Sequence, residues 1–217
     1  MLSVIGITSC QSSISCDAAL RERSFCRAAK YRTLDGFAQG GTFHLVYELP
    51  ENNDITHLPD SLTKYFSRID KSLSGYDSTS TVSRINRGEN PPLDSLFIEC
   101  FNLSNEVYQA TEGAFDISAA PFFDIWGFGF KEKEKITREK IDSIKQFVGM
   151  DKLSIAYDQT SGAHYLHKAD SRMKVNLNAI AQGYSCDFIA RRLEATSKLF
   201  SSKPVIPASM IALRISP

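Results

Sequence analysis

Apolar and polar residues alternate over positions 42–49, with Phe43, Leu45, Tyr47 and Leu49 on one face and Thr42, His44, Val46 and Glu48 on the other. This period of two predicts a half-buried strand. Gly40-Gly41 just before it lets the backbone turn tightly or approach a ligand. After Pro59-Asp60 the period changes. Leu62, Tyr65, Phe66, Ile69 and Leu73 recur at helical spacing, with Asp60 as the expected N-cap. A second helix is predicted from about Asp94, carrying Leu96, Phe97, Cys100, Leu103, Val107 and Tyr108 and ending at Gly113. A third starts at Thr137, carries Ile141, Ile144, Phe147 and Val148, and stops at Gly149. Two short alternating runs, 153–157 and 163–167, flank turn residues and predict a hairpin. A strand over 173–177 then leads into a helix from about Ala179 to Leu199. Helices and strands mixed without strict βαβ alternation predict an α+β fold.

Composition narrows the class. The chain has 217 residues, 42% of them hydrophobic and 23% charged, which is too apolar for a disordered polymer. A fold of this length buries roughly 70% of its unfolded surface, enough for a core without staples. No run of 18 apolar residues offers a spanning helix. The 25 basic and 25 acidic side chains balance, so the surplus of Lys and Arg that binds phosphate backbones is absent and no nucleic-acid partner is expected. The five cysteines are odd in number and form no Cys-x-x-Cys pair, which suggests neither a zinc site nor a disulfide framework. Cys100 and Cys186 read as small buried hydrophobes. Cys10 differs: it closes a short apolar run, and Ile7-Thr8-Ser9-Cys10 resembles a bacterial lipobox. The expectation is a signal and linker over 1–30. Cys10 is then the lipid anchor, holding the protein on the periplasmic side of the inner membrane.

Three segments carry more polar detail than structure alone needs. The first, 72–86, combines hydroxyls at Ser72, Ser74, Ser78, Thr79, Ser80, Thr81 and Ser83 with Tyr76, Arg84 and Asn86. Such a loop either wraps a polar ligand, with a ring against Tyr76, or is a surface turn capping a helix. The second runs from Glu112 through Asp116 to Pro121 and the only Trp, Trp126, between Ile125 and the glycines 127 and 129. Rings beside permissive backbone suit a flat heterocycle and suit core packing equally well. The third is 175–184. Asn178 is placed to cap the coming helix, whose free N–H groups attract a phosphate. Gln182, one turn on, reaches the same region. Gly183 costs the helix about 1 kcal/mol relative to Ala, which hints at close approach by backbone or ligand. No P-loop, dinucleotide fingerprint or nucleophile elbow occurs. His164 and His167 fall on opposite faces of their strand.

Together and in this order, the segments resemble the ApbE family, the FAD:protein FMN transferases once described as thiamine-biosynthesis lipoproteins. The resemblance starts at Gln39-Gly40-Gly41-Thr42-Phe43-His44, similar to the family's Met-Gly-Thr-Thr-Tyr-His. It continues through Leu73-Ser74-Gly75-Tyr76, Ser83-Arg84-Ile85-Asn86, Gly113-Ala114-Phe115-Asp116 and Trp126-Gly127-Phe128-Gly129. It closes on Asn176-Leu177-Asn178-Ala179-Ile180-Ala181-Gln182-Gly183-Tyr184, similar to Asp-Leu-Gly-Ala-Ile-Ala-Lys-Gly-Tyr. The resemblance implies an ApbE-like, T-fold-related domain whose N-terminal part occupies 31–198. It implies FAD and Mg²⁺, transfer of FMN to a Thr or Ser hydroxyl of a target flavoprotein, and release of AMP. Position by position, it implies FAD contacts at Gln39, Tyr76, Ala114, Phe115, Asp116, Asn176 and Gln182, with the Ala179 carbonyl toward the metal. Asn176 and Gln182 depart from the family's Asp and Lys, removing one charge of each sign. Gln39 stands for a Met and Gly41 for a Thr.

Residues 199–217 hold three of the eight prolines and none of the late Thr-Ser-Gly or Asp-Pro-x-Thr-Gly motifs that supply metal ligands in the family. The expectation is a divergent tail replacing the missing second half. Two further readings stand beside active transfer: a flavin-nucleotide-binding remnant, and a lipoprotein without transferase activity.

Overall fold

The computed structural model describes residues 31–48, 57–128, 135–200 and 212–216. Cys10, the 1–30 leader and linker, and Leu49 lie outside the described residues. The chain divides into two compact units, one drawn from positions up to 66 and from 185 onward, the other from 67–184.

In the first unit, β1 (Tyr31–Ala38) and β2 (Gly41–Glu48) form an antiparallel hairpin with Ala38 opposite Gly41. Its two-residue connection places both Gln39 (φ 53°) and Gly40 (φ 78°) at positive φ, the primed turn that matches the twist of paired strands. Phe43, Leu45 and Tyr47 are buried on one face of β2, as the alternation requires. The 42–49 run did not reveal β1, whose pattern is broken by Gly36. That glycine lies opposite Phe43, and a Cβ there would sit 2.5 Å from the Phe43 ring. The Phe43 ring in turn packs on Phe66 at 5.1 Å between centroids. The strand β5 (Ala212–Ser216) pairs antiparallel with β2, giving the order β1-β2-β5.

Helix α1 (Leu58–Leu73) buries Leu62, Phe66, Ile69 and Leu73 at the predicted spacing. It starts two residues before the expected cap. The His57 carbonyl accepts the Ser61 N–H and hydroxyl, so Asp60 lies inside the first turn, where its charge still favours the helix dipole. Pro59 is tolerated there because first-turn N–H groups have no helical partner.

The second unit takes its remaining helices and one hairpin from short, capped segments. Helix α2 (Thr81–Asn86) is capped by Ser80, whose hydroxyl accepts the Ser83 N–H. Helix α3 (Ser95–Ala110) is capped by Asp94, which accepts the Phe97 N–H at 2.8 Å and the buried Ser72 hydroxyl at 2.7 Å. The α3 core face holds Leu96, Phe97, Cys100 and Phe101, each large side chain stabilising the fold by about 1.5–3 kcal/mol through burial. Cys100 behaves as the expected buried hydrophobe, and burial pushes its thiol up to about 12. Cys186, in the first unit, is half-buried. The 112–127 segment becomes a turn and then α4 (Ala120–Trp126), closed by Gly127 in the left-handed region. Helix α5 (Arg138–Lys145) starts at its Thr137 cap. The strands β3 (Leu153–Asp158) and β4 (Ala163–Lys168) form the predicted hairpin.

Residues 173–177 are extended, but they are not a strand. The alternation is right: Met173, Val175 and Leu177 are each 1% exposed. The ladder is absent because their polar backbone is held by other groups. Asn86 accepts the Val175 N–H and donates to the Val175 carbonyl, both at 2.8 Å, and Asn176 N–H donates to the Ile117 carbonyl at 2.8 Å. The last helix, α6 (Asn178–Phe200), follows directly. Its first N–H is met by the Asn176 side chain at 2.9 Å, so Asn176 takes the capping role expected of Asn178.

Candidate functional site

The second unit contains a cavity of about 460 Å³ where the 75–87 segment, α4, the 174–177 run and the first residue of α6 meet. That volume lies within the range of small-ligand sites. The alternation that buries Met173, Val175 and Leu177 turns Lys174, Asn176 and Asn178 outward, and all three line the cavity. Tyr76 lines the same cavity. Its hydroxyl accepts from the Asn178 amide at 3.4 Å, and its side chain stays 67% exposed. Phe123 and Phe128 add two more exposed rings. An open cavity rimmed by three aromatic rings and floored by amides can take a flat heterocycle with polar edges.

The hydroxyl-rich loop does less wrapping than its composition suggests. Ser74 accepts the N–H groups of Tyr76 and Asp77, Ser80 caps α2, and Thr79 bonds Asp77. Only Ser78 and Ser83 of these hydroxyl residues line the cavity. The loop therefore serves chiefly to hold Tyr76 in place. Asp77 in the loop and Asp70 in α1 differ in character. Hydrogen bonds from Lys71 and Thr79 hold Asp77 down to about 2, whereas burial, aided by the Asp77 charge, raises Asp70.

Of the residues implied by resemblance, the cavity gathers Tyr76 and Asn176. Ala114, Phe115 and Asp116 lie outside its lining. Asp116 accepts the Ser118 N–H at 2.7 Å, and its segment joins the cavity floor through the Asn176–Ile117 backbone bond. Ala179 and Gln182 sit in the first turns of α6, also outside the lining. Gly183 is exposed, and a Cβ there would meet nothing within 4 Å, so no backbone contact among the described residues explains it. Gln39 belongs to the first unit. It donates to the Ser185 hydroxyl at 2.7 Å, while its carbonyl oxygen is buried without a hydrogen bond. Among the described residues no three His, Cys, Asp or Glu side chains converge as a metal site would require.

Phe123, Lys174, Asp124 and Arg87 line the cavity without being among the motif residues named from the sequence. Lys174 and Asp124 form an ion pair at 2.7 Å across the cavity wall, and Arg87 pairs with Glu89 at its edge. The only local signal was the alternation that sets Lys174 in phase with Asn176. The Asp124 partner lies 50 residues away in sequence.

A model of the ApbE family matches residues 40–199. A protein named FAD:protein FMN transferase from Haemophilus influenzae is 26% identical over 178 residues, covering 77% of this chain and 50% of that protein. Its namesake from Escherichia coli K12 is 29% identical over 173 residues, covering 77% and 48%. The chain thus spans about half the length of the curated relatives it matches. The flavin transferase ApbE from Vibrio cholerae superposes with a TM-score of 0.68 at 23% identity, over 78% of this chain and 55% of that one. The Pseudomonas stutzeri flavinyl transferase ApbE, in its apo form, gives 0.68 at 27% identity, over 77% and 56%.

Proposed function

Because the chain belongs to the ApbE family, we propose that it is a FAD:protein FMN transferase. In the proposed reaction a Thr or Ser hydroxyl of a target flavoprotein attacks the FMN-side phosphorus of FAD. A new phosphoester bond forms, the bond to the bridging oxygen breaks, AMP departs with that oxygen, and the hydroxyl proton is lost to solvent. The observation that carries the reading is the placement of Tyr76 and Asn176 in the lining of one cavity, which also includes the first residue of α6, Asn178. Tyr76, Phe123 and Phe128 offer ring faces for a heterocycle. The outward amides of Asn176 and Asn178 offer hydrogen bonds, and at 176 the family carries a charged Asp, so recognition there is through neutral donors and acceptors.

Mg²⁺ belongs to the same proposal, as the ion that would neutralise pyrophosphate charge. The described residues do not build its site. No group of three His, Cys, Asp or Glu side chains converges among them. No step is assigned to the ion. Attachment to the periplasmic face of the inner membrane through Cys10 is likewise proposed, on the lipobox resemblance alone. Loss of membrane partitioning in Cys10→Ala supports it, and unchanged partitioning overturns it.

Titration of the full chain with FAD, with and without Mg²⁺, followed by incubation with an acceptor flavoprotein subunit, tests the assignment. Thermal stabilisation by FAD together with covalent flavin on the acceptor is the expected result. Stabilisation without covalent flavin favours a binding chain that lacks transfer. The absence of both stabilisation and covalent flavin favours a lipoprotein of interaction role.

A further inference from the structure

The flavin-nucleotide reading leaves a charge unaccounted for. FAD carries two negative charges on its pyrophosphate, and the family position that bears Lys is the neutral Gln182 here. The cavity wall contains two cations, Arg87 and Lys174, against one carboxylate, Asp124. Arg87 is half exposed, and its guanidinium is committed to Glu89 and to the Ser78 carbonyl. Lys174 is the less exposed of the two, at 32% for its side chain. Its backbone neighbours are fixed on the C-terminal side, Val175 by Asn86 and Asn176 by Ile117. Its ammonium is set by Asp124 at 2.7 Å. Lys174 also shares the outward face with Asn176 and Asn178.

We propose that Lys174 is the pyrophosphate-binding cation of this chain, held in position by Asp124. The inference rests on the flavin-nucleotide reading of the cavity. An ammonium has three N–H donors, so one can stay on Asp124 while the others meet phosphate oxygens, with no covalent change. The pair presents a preset cation to an anion at little ordering cost. It also places the positive charge on the extended segment rather than one turn into α6.

The test compares FAD with riboflavin, which has the ring system and no phosphate, on the full chain. Lys174→Gln is expected to weaken FAD binding by about 10-fold or more, the range of a hydrogen bond to a charged group, and to leave riboflavin affinity unchanged. Lys174→Arg should keep most of the FAD affinity. Asp124→Asn keeps the ammonium but weakens the contact that sets it, so it should weaken FAD binding by less than Lys174→Gln does and leave riboflavin affinity unchanged. Equal losses for FAD and riboflavin in Lys174→Gln would make Lys174 a structural member of the wall and overturn the assignment. So would FAD affinity unaltered by Lys174→Gln. Those results refute Lys174 alone, because the parent chain still binds FAD. A parent chain that binds no FAD overturns the functional reading and this inference together.

Discussion

Replacing Asn86 by Ala removes the clamp that positions the cavity floor. In the structure its carboxamide accepts the Val175 N–H and donates to the Val175 carbonyl, each at 2.8 Å, and Val175 is 1% exposed. Water cannot readily replace either partner. Each net hydrogen bond contributes about 0.5–1.5 kcal/mol, and each buried group left unpaired costs about 1–3 kcal/mol. Two groups on one residue relax partly together, so the expected loss is about 2–4 kcal/mol. For a chain of this size that lowers Tm by roughly 5–15 °C. Asn86→Asp keeps the acceptor for the Val175 N–H but sets a carboxylate against the Val175 carbonyl, so it should not rescue. Urea melts give the total effect, and hydrogen exchange at the Val175 amide gives a local reading independent of cooperativity between the two units. Affinity for FAD should fall with stability, because Lys174 and Asn176 flank the clamped residue. A loss below about 0.5 kcal/mol, or an unchanged Val175 exchange rate, would refute the reasoning.

Other consequences are open to measurement. Gly183→Ala should stabilise the unliganded chain by about 0.5–1 kcal/mol in melts, since the position is helical with open space around it; destabilisation would contradict this, and a selective loss of FAD affinity would place the ligand beside it. Tyr76→Ala should weaken FAD binding about 5-fold or more by calorimetry, while Tyr76→Phe keeps the ring and most of the affinity; equal affinities for parent and Tyr76→Ala would remove the ring from the site. Asp77 is lowered to about 2 by Lys71 and Thr79, against about 3.9 unfolded. Its stabilisation is therefore present above about pH 4 and lost as pH falls toward 2. The stability gap between the parent and Asp77→Asn should shrink over that window in melts from pH 7 to 2, and a constant gap would refute the assignment. Asp70 runs oppositely, its raised value favouring the fold at low pH.

Much of the fold was legible wherever one residue acts on its near neighbours. Asp94 and Thr137 cap α3 and α5 because each needs only the N–H three positions on. The β3–β4 hairpin follows from alternation and turn residues within one stretch. The 173–177 run shows where local reading stops. Its alternation fixed which side chains point inward, but Asn86, 89 residues away in sequence, decided that no sheet would form. Strand β1 was hidden because Gly36 answers to the ring of Phe43 across the hairpin rather than to its own neighbours. The same holds at the site. Tyr76 and Asn176 stood out as residue types within motifs, and the fold joins them. Lys174 and Asp124 carry no motif, and their pairing exists only once α4 and the extended segment meet.

The most direct test of the proposed chemistry is the intact mass of an acceptor flavoprotein subunit after incubation with the full chain, FAD and Mg²⁺, with AMP measured in the same sample. Transfer predicts a mass gain equal to one FMN less water on a Thr or Ser, with AMP released in equal amount. An acceptor of unchanged mass and no AMP, from a chain shown to bind FAD, would contradict it.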